Sequence, residues 1–293
     1  MKNKKISVGI IGYGSLGKYL SEKILTDANF SDKYELAFVW NRSIEKLEAD
    51  SHLLPKQYWL TGEFKTAFGE FLTTGKPIDI IVEVSHPIMI KNFGSMLLQH
   101  ADLVIGSPTA LAEQIVEDEI RFTANNNSGK NGVYVPVGAF WGAEDIVKMS
   151  ELNTIARLSV SMTKPPHSFK LQPPLAEELA KYESSNCNEP FVIYEGSVRE
   201  LCPLAPNNVN TMACAALAGS ALGFDSTKAK LVADKRLEAH IVGIEVKDAN
   251  GFVVKTERYN PCKENAVTGN ATYGSFLSSI KRVGGKGNGF YFC

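Results

Sequence analysis

Cysteine is scarce and unpatterned in this chain. The five residues, at 187, 202, 214, 262 and 293, contain no C-x-x-C pair and are odd in number. That argues against a structural zinc site and against a disulfide framework. No segment approaches the roughly 18 apolar residues of a membrane helix. Lys2, Lys4 and Lys5 precede a run of only about six apolar residues, too short for a secretory h-region. A formal net charge of -1 supplies no electrostatic reason to expect nucleic acid or an anionic membrane as partner. Internal repeats and low-complexity tracts are also missing. The expectation is a soluble, cytoplasmic protein without a metal site. At 293 residues and 44% hydrophobic content it is large enough for two modest cores.

What is present begins at Ile6–Gly17, ISVGIIGYGSLG. An apolar strand is followed by Gly12, Gly14 and Gly17 and then by a helical pattern. In a G-x-G-x-x-G turn the first glycine allows the tight bend and the second lets backbone N–H groups approach a pyrophosphate. The third lets the helix pack on the strand, with the phosphates at its positive end. The expected cofactor contacts here are Gly12, Gly14, Ser15, Leu16 and Gly17.

The alternation continues. After a helix over Ser15–Leu25 come strands at Tyr34–Trp40, Ile78–Val84, Leu103–Ile105 and Val133–Val137. A helix from Pro87 carries Ile88, Ile90, Phe93, Met96 and Leu97 at apolar positions, and another spans Leu111–Phe122. Asn125–Gly132 is a loop by composition. This pattern predicts an α/β doubly wound parallel sheet of the Rossmann type. Beyond Trp141 the texture changes to strands at Ile155–Met162, Phe191–Tyr194, Ala229–Ala233, His240–Val246 and Phe252–Thr256. One strong helix, Asn210–Leu222, interrupts them. A second α+β domain with a mainly antiparallel sheet is expected over 138–265, for substrate and dimer contacts. The dinucleotide domain is placed at 1–137. A last helix over 266–283, capped by Thr268, is expected to return to it.

The second strand ends in Val39-Trp40-Asn41-Arg42, with no carboxylate to accept the ribose 2′-OH of NAD. Asn41 can bond a ribose, and Arg42 can pair with a 2′-phosphate. NADP is therefore favoured over NAD, the alternative for Arg42 being a solvated residue at a strand end. Loops after the other strands, Glu83–Pro87, Gly106–Thr109 and Val137–Asp145, should line the same crevice. Within them Ser85, His86, Ser107 and Ala139 are further cofactor candidates. Pro87 and Pro108 are equally explained as helix starts.

Histidine is the natural acid/base near neutrality. Of the five, His52 and His100 read as surface residues and His167 sits in a proline-flanked loop. His86 lies on a crevice loop, and His240 begins a strand with Val242, Ile244 and Val246 on the same face. Periodicity alone favours a packed structural role for His240. Asn208 and Asn210 precede the Ala-rich helix and are helix caps by default. Two amides at a positive helix end also suit a carboxylate or a nicotinamide carboxamide.

The ordered set GYGSLG, VWNR, EVSHP, GSPTAL, GAFWGAED, TKPP, YEGSVRELCP, PNNVNTMA, LVAD and NAVTGNAT, running nearly end to end, resembles the L-aspartate dehydrogenase family. The resemblance implies a Rossmann domain with an inserted α+β domain, a homodimer, and oxidative deamination of L-aspartate with NAD(P)+ through iminoaspartate. It implies His240 as the catalytic acid/base, Asn210 and the Gly138-Ala139 loop as cofactor contacts, and Asn208, Trp141 and Lys164 as substrate residues. Compared with microbial members, Lys235 replaces a proline, Glu238 an asparagine, and Phe140-Trp141 smaller residues, which implies a narrowed or altered pocket. Two further readings remain at this point: a dehydrogenase of another small acid, and an NADP(H)-binding sensor without turnover.

Overall fold

A computed structural model describes residues 4–261 and 270–293. Its first sheet is built from β1 (Ile6–Ile11), β2 (Tyr34–Asn41), β3 (Trp59–Thr61), β4 (Ile80–Glu83), β5 (Asp102–Ile105) and β6 (Gly132–Val135). A last strand, Gly289–Phe292, pairs in parallel with β6. Reading across, the order is β3-β2-β1-β4-β5-β6 and then this last strand, all parallel. It is the doubly wound order, with the reversal between β1 and β4, where ligands of such sheets lie.

Helices cover both faces. α1 (Ser15–Thr26) follows the glycine turn and buries Gly17, Leu20 and Ile24. On the other face lie α2 (Phe64–Thr73), α3 (Pro87–Leu98) and α4 (Gln114–Asn126). Glu63 caps α2 by accepting from Lys65 N and Thr66 N, and His86 caps α3 through Ile88 N. Of the apolar positions read in α3, Ile88 is exposed and Met89 is buried instead. The stretch read as one helix over Leu111–Phe122 splits into a 3-10 turn at Pro108–Ala112 and then α4. The first helical residue of the turn is proline, as expected for a helix start.

The second sheet holds β7 (Ile155–Lys164), β8 (Phe191–Ser197), β9 (Lys228–Ala233), β10 (Ala239–Asp248) and β11 (Val253–Pro261), in the order β11-β10-β7-β9-β8. Three pairings are antiparallel and β7–β9 is parallel, so the sheet is mixed. Two helices that the sequence reading did not separate, α5 (Ala143–Glu151) and α6 (Leu175–Ser184), join the Ala-rich α7 (Asn210–Ala218). α7 is buried along its whole length from Thr211 to Ala218. Its small side chains suit a helix clamped on all sides.

The final helix, α8 (Asn270–Ile280), buries Phe276, Leu277 and Ile280 in the same apolar cluster as Val8, Ile10 and Leu20 of the first sheet. Thr268 and Cys262 lie outside the described residues. No helix among the described residues is long and apolar enough to cross a membrane.

Candidate active site

The glycine turn is shaped by contact. Gly12 has φ +110, and a Cβ there would lie 2.7 Å from Ser85 Cβ. A Cβ on Gly17 would strike the Gly12 carbonyl. Gly14 faces nothing within 4 Å, and no side chain caps α1. The helix therefore opens on space that its first N–H groups can share with a phosphate. Asn41 is occupied otherwise than expected. Its Oδ1 accepts from Tyr13 N at 3.4 Å and its Nδ2 donates to Ser43 O at 2.7 Å, so it ties the turn to the end of β2. Arg42 beside it is exposed.

Glu83, at the end of β4, is a group the sequence reading passed over. It is fully buried, and its carboxylate accepts from Ser85 N, Ser85 Oγ, His86 N, Ser107 N and Ser107 Oγ at 2.7 to 3.1 Å. Burial pushes the carboxyl up from its ordinary range while these donors pull it down. Ser85 and Ser107 are among the residues expected to contact the cofactor. The structure instead turns both hydroxyls onto Glu83, which locks together the two loops bordering the crevice.

His86 is exposed, its Nδ1 accepts from Ile88 N at 3.3 Å, and it lines a separate 480 Å³ cavity with Lys91 and Arg199. Burial together with the charges of Lys91 and Arg42 lowers its pKa. It caps α3 and is not among the residues that line the cavity of His240. His52, His100 and His167 are exposed.

A second cavity, of about 120 Å³, gathers much of what the sequence separated. Leu16 of the glycine turn, Ala139, Lys164, Asn208, Asn210 and His240 all line it. Strand register explains how. His240 pairs with Asn260 across β10–β11, and Ile241 with Thr163 across β10–β7. Lys164, His240 and Asn260 therefore form a row on one face of the sheet. His240 is 3% exposed, and its Nε2 lies 3.0 Å from Ser168 Oγ, which fixes the tilt of the ring.

Neither asparagine caps α7, whose cap residue is Val209 with no side-chain bond. Asn208 Oδ1 accepts from Lys170 N at 2.8 Å, its Nδ2 donates to Ser168 O at 3.0 Å, and its carbonyl accepts from buried Lys164 at 3.2 Å. Its side-chain amide is thus spent on the loop that carries Ser168, not held out to a ligand. Asn210 Oδ1 is buried with no hydrogen-bond partner. A buried acceptor without a donor is costly, and a carboxamide N–H in this cavity would satisfy it. This orphaned oxygen, the open face of Gly14 and the uncapped α1 all fit a nicotinamide dinucleotide.

Trp141 does not reach the cavity. It is 69% exposed, over a groove shared with Met149, Phe252 and Val254. Phe140 is buried in the core, Lys235 donates to Ser185 O at 2.8 Å and lies over the Tyr182 ring, and Glu238 is exposed. None of these four lines the His240 cavity. The expected narrowing by those departures is therefore not found, because each side chain points elsewhere.

Two family models cover most of the chain. "Homoserine dehydrogenase, NAD binding domain" matches residues 12–136, and "Aspartate dehydrogenase, C-terminal" matches residues 145–283. The aspartate dehydrogenase domain-containing protein of Danio rerio is 45% identical over 100% of both chains. An L-aspartate dehydrogenase of Methanococcus maripaludis is 26% identical, covering 94% of this chain and 96% of its own. In fold, the crystal structure of aspartate dehydrogenase from Thermotoga maritima superposes with a TM-score of 0.67 at 21% identity, covering 97% of this chain and 98% of that one.

Proposed function

The chain belongs to the aspartate dehydrogenase family, and from that premise we propose that it oxidises L-aspartate with NADP+ in preference to NAD+, using His240 as acid/base. The observation that carries this reading is the single cavity in which Leu16 of the glycine turn, the unpartnered Asn210 oxygen and the buried imidazole meet. A nicotinamide carboxamide bonded to that oxygen would meet the one buried histidine among the described residues. The sensor reading is weaker, since holding a nucleotide requires no imidazole there.

When bound, the nicotinamide accepts the hydride that leaves Cα. The rest is work for the chain. The amine must lose a proton as the C–N bond becomes an imine; His240 takes it and releases it to solvent, the one net proton of the reaction, before water enters. Water then adds to the imine carbon, and loss of ammonia gives oxaloacetate; the same imidazole can take the water's proton and return one to the departing nitrogen. Ser168 holds the ring so that its plane does not drift between these steps. Lys164, buried at 2% exposure, lines the same cavity, and its Nζ donates to the Asn208 carbonyl, which sets a hydrogen-bond donor beside the substrate space. At the far end, exposed Arg42 and the lack of a carboxylate in the Val39-Trp40-Asn41-Arg42 strand end favour a 2′-phosphate. A homodimer and a cytoplasmic setting belong to the same proposal; sedimentation of the purified protein tests the first.

The test is absorbance at 340 nm with a panel of amino acids, and with 2-oxo acids plus ammonia, for each cofactor. Turnover of aspartate and of oxaloacetate with ammonia is expected. His240→Ala should lower kcat about 10²- to 10⁴-fold, and Arg42→Ala should lower kcat/KM for NADP+ more than for NAD+. Tight NADPH binding without turnover of any substrate would leave the sensor reading.

A further inference from the structure

We propose that Asn260, aimed by Arg258, binds a carboxylate of a small dicarboxylic substrate beside His240. This rests on the reading of the site given above and adds the element that selects the substrate. Asn260 stands directly opposite His240 in the β10–β11 ladder, so the two side chains share a face, and both line the same cavity. The residue is 6% exposed, and its side-chain oxygen accepts from Arg258 Nε at 3.1 Å.

That contact fixes which way the amide points. A guanidinium can only donate, so the Asn260 atom facing it must be oxygen, independent of how the amide was assigned. The NH2 group, with two donors, is then left at the opposite side of the amide, on a residue that lines the cavity. Arg258 also donates from Nη1 to the Gly138 carbonyl at 3.1 Å. Both acceptors are neutral and both belong to the cavity wall. No Asp or Glu pairs with Arg258 among the described residues, and none lines the cavity. The guanidinium is half-buried, and burial pulls its pKa below the ordinary value. A cation held this way is stabilised by a nearby anion. An oriented amide donor, backed by that cation and facing no acid, is a carboxylate site.

The test uses succinate and butyrate, which cannot be oxidised at an amine, titrated into the protein–NADPH complex by nucleotide fluorescence. Asn260→Asp keeps the volume but turns the donor into an acid paired with Arg258. Succinate affinity is expected to fall about 10- to 100-fold, the scale of a lost hydrogen bond to a charged group, with butyrate and NADPH affinity changed less than about twofold. Arg258→Gln should weaken succinate less. Unchanged succinate binding in Asn260→Asp, or an equal loss for butyrate, overturns the proposal. If the unsubstituted complex binds neither acid while turning over an uncharged amino acid, the aspartate reading fails as well. Turnover of aspartate with succinate binding intact in the variant removes the role of Asn260 alone.

Discussion

At the scale of single residues, the decisive groups are buried polar ones whose partners are far away in sequence. Glu83 is the clearest case. Its five bonds from Ser85, His86 and Ser107 replace the water it lost, and they fasten two crevice loops that would otherwise be independent. Glu83→Gln keeps the shape but turns an NH2 group towards N–H and O–H donors. The expected loss is about 2 kcal/mol of stability, read as a lower urea midpoint, together with weaker NADP+ binding. Unchanged stability would mean that the loops hold their places without the carboxylate. Little of this was legible beforehand. The sequence placed Glu83 near the end of an apolar strand, Ile78–Val84, and at the start of a crevice loop, but gave no sign that its acceptors would be filled by two separate loops. His240 shows the same limit: alternation put it on the face of Val242 and Ile244, and only the register with Asn260 and Thr163 says what else occupies that face.

At the scale of elements, the glycine turn and α1 divide into a structural part and a binding part. Gly17→Ala would drive a methyl against the Gly12 carbonyl, with about 1–3 kcal/mol lost to overpacking. Gly14 has φ -83, which any residue adopts, and open space around it. Gly14→Ala should therefore leave the melting temperature unchanged or slightly raised while raising the NADP+ Kd at least about tenfold, because the methyl occupies the phosphate approach. Equal effects of the two substitutions on folding and binding would contradict this division. The long elements were legible because burial imprints itself locally: apolar runs gave β1 and β2, a β-branched run gave β4, and the Ala-rich stretch gave α7. Three-residue β3 carries too short a pattern, and the last strand, Gly289–Phe292, hides behind a glycine-rich approach. α6 is different, since Leu175, Leu179 and Tyr182 stand at helical spacing and the signal was there to be used. The Asn208–Asn210 pair misled in the opposite way, because both are good capping residues and neither caps.

At the scale of the whole molecule, the chain changes sheet after β6 without changing core. One apolar cluster runs from Phe38, Ile81 and Leu103 of the first sheet through Phe140 to Met162, Met212 and Val242 around the second. The His240 cavity takes its lining from both halves, Leu16 from the first and Val242 from the second, so its geometry depends on both being folded. A continuous core of this kind predicts one cooperative transition rather than two. Met212 is fully buried on α7, and Met212→Ala removes side-chain volume from the second half of the cluster at a cost of about 2–5 kcal/mol. Trp40 and Trp59 both sit in the first sheet, and the third tryptophan, Trp141, lies against the second half, so in a Trp141→Phe background the fluorescence reports the half that the substitution does not touch. If the core acts as one body, the tryptophan midpoint falls by the same amount as the far-ultraviolet circular dichroism midpoint. Saturation with NADPH at about 100 times its Kd then restores roughly 2.7 kcal/mol to both signals. A tryptophan transition left at its original midpoint while the dichroism splits in two would show that the halves fold separately. In that case the junction of the two halves, cavity included, would be a docking surface between two bodies rather than part of one.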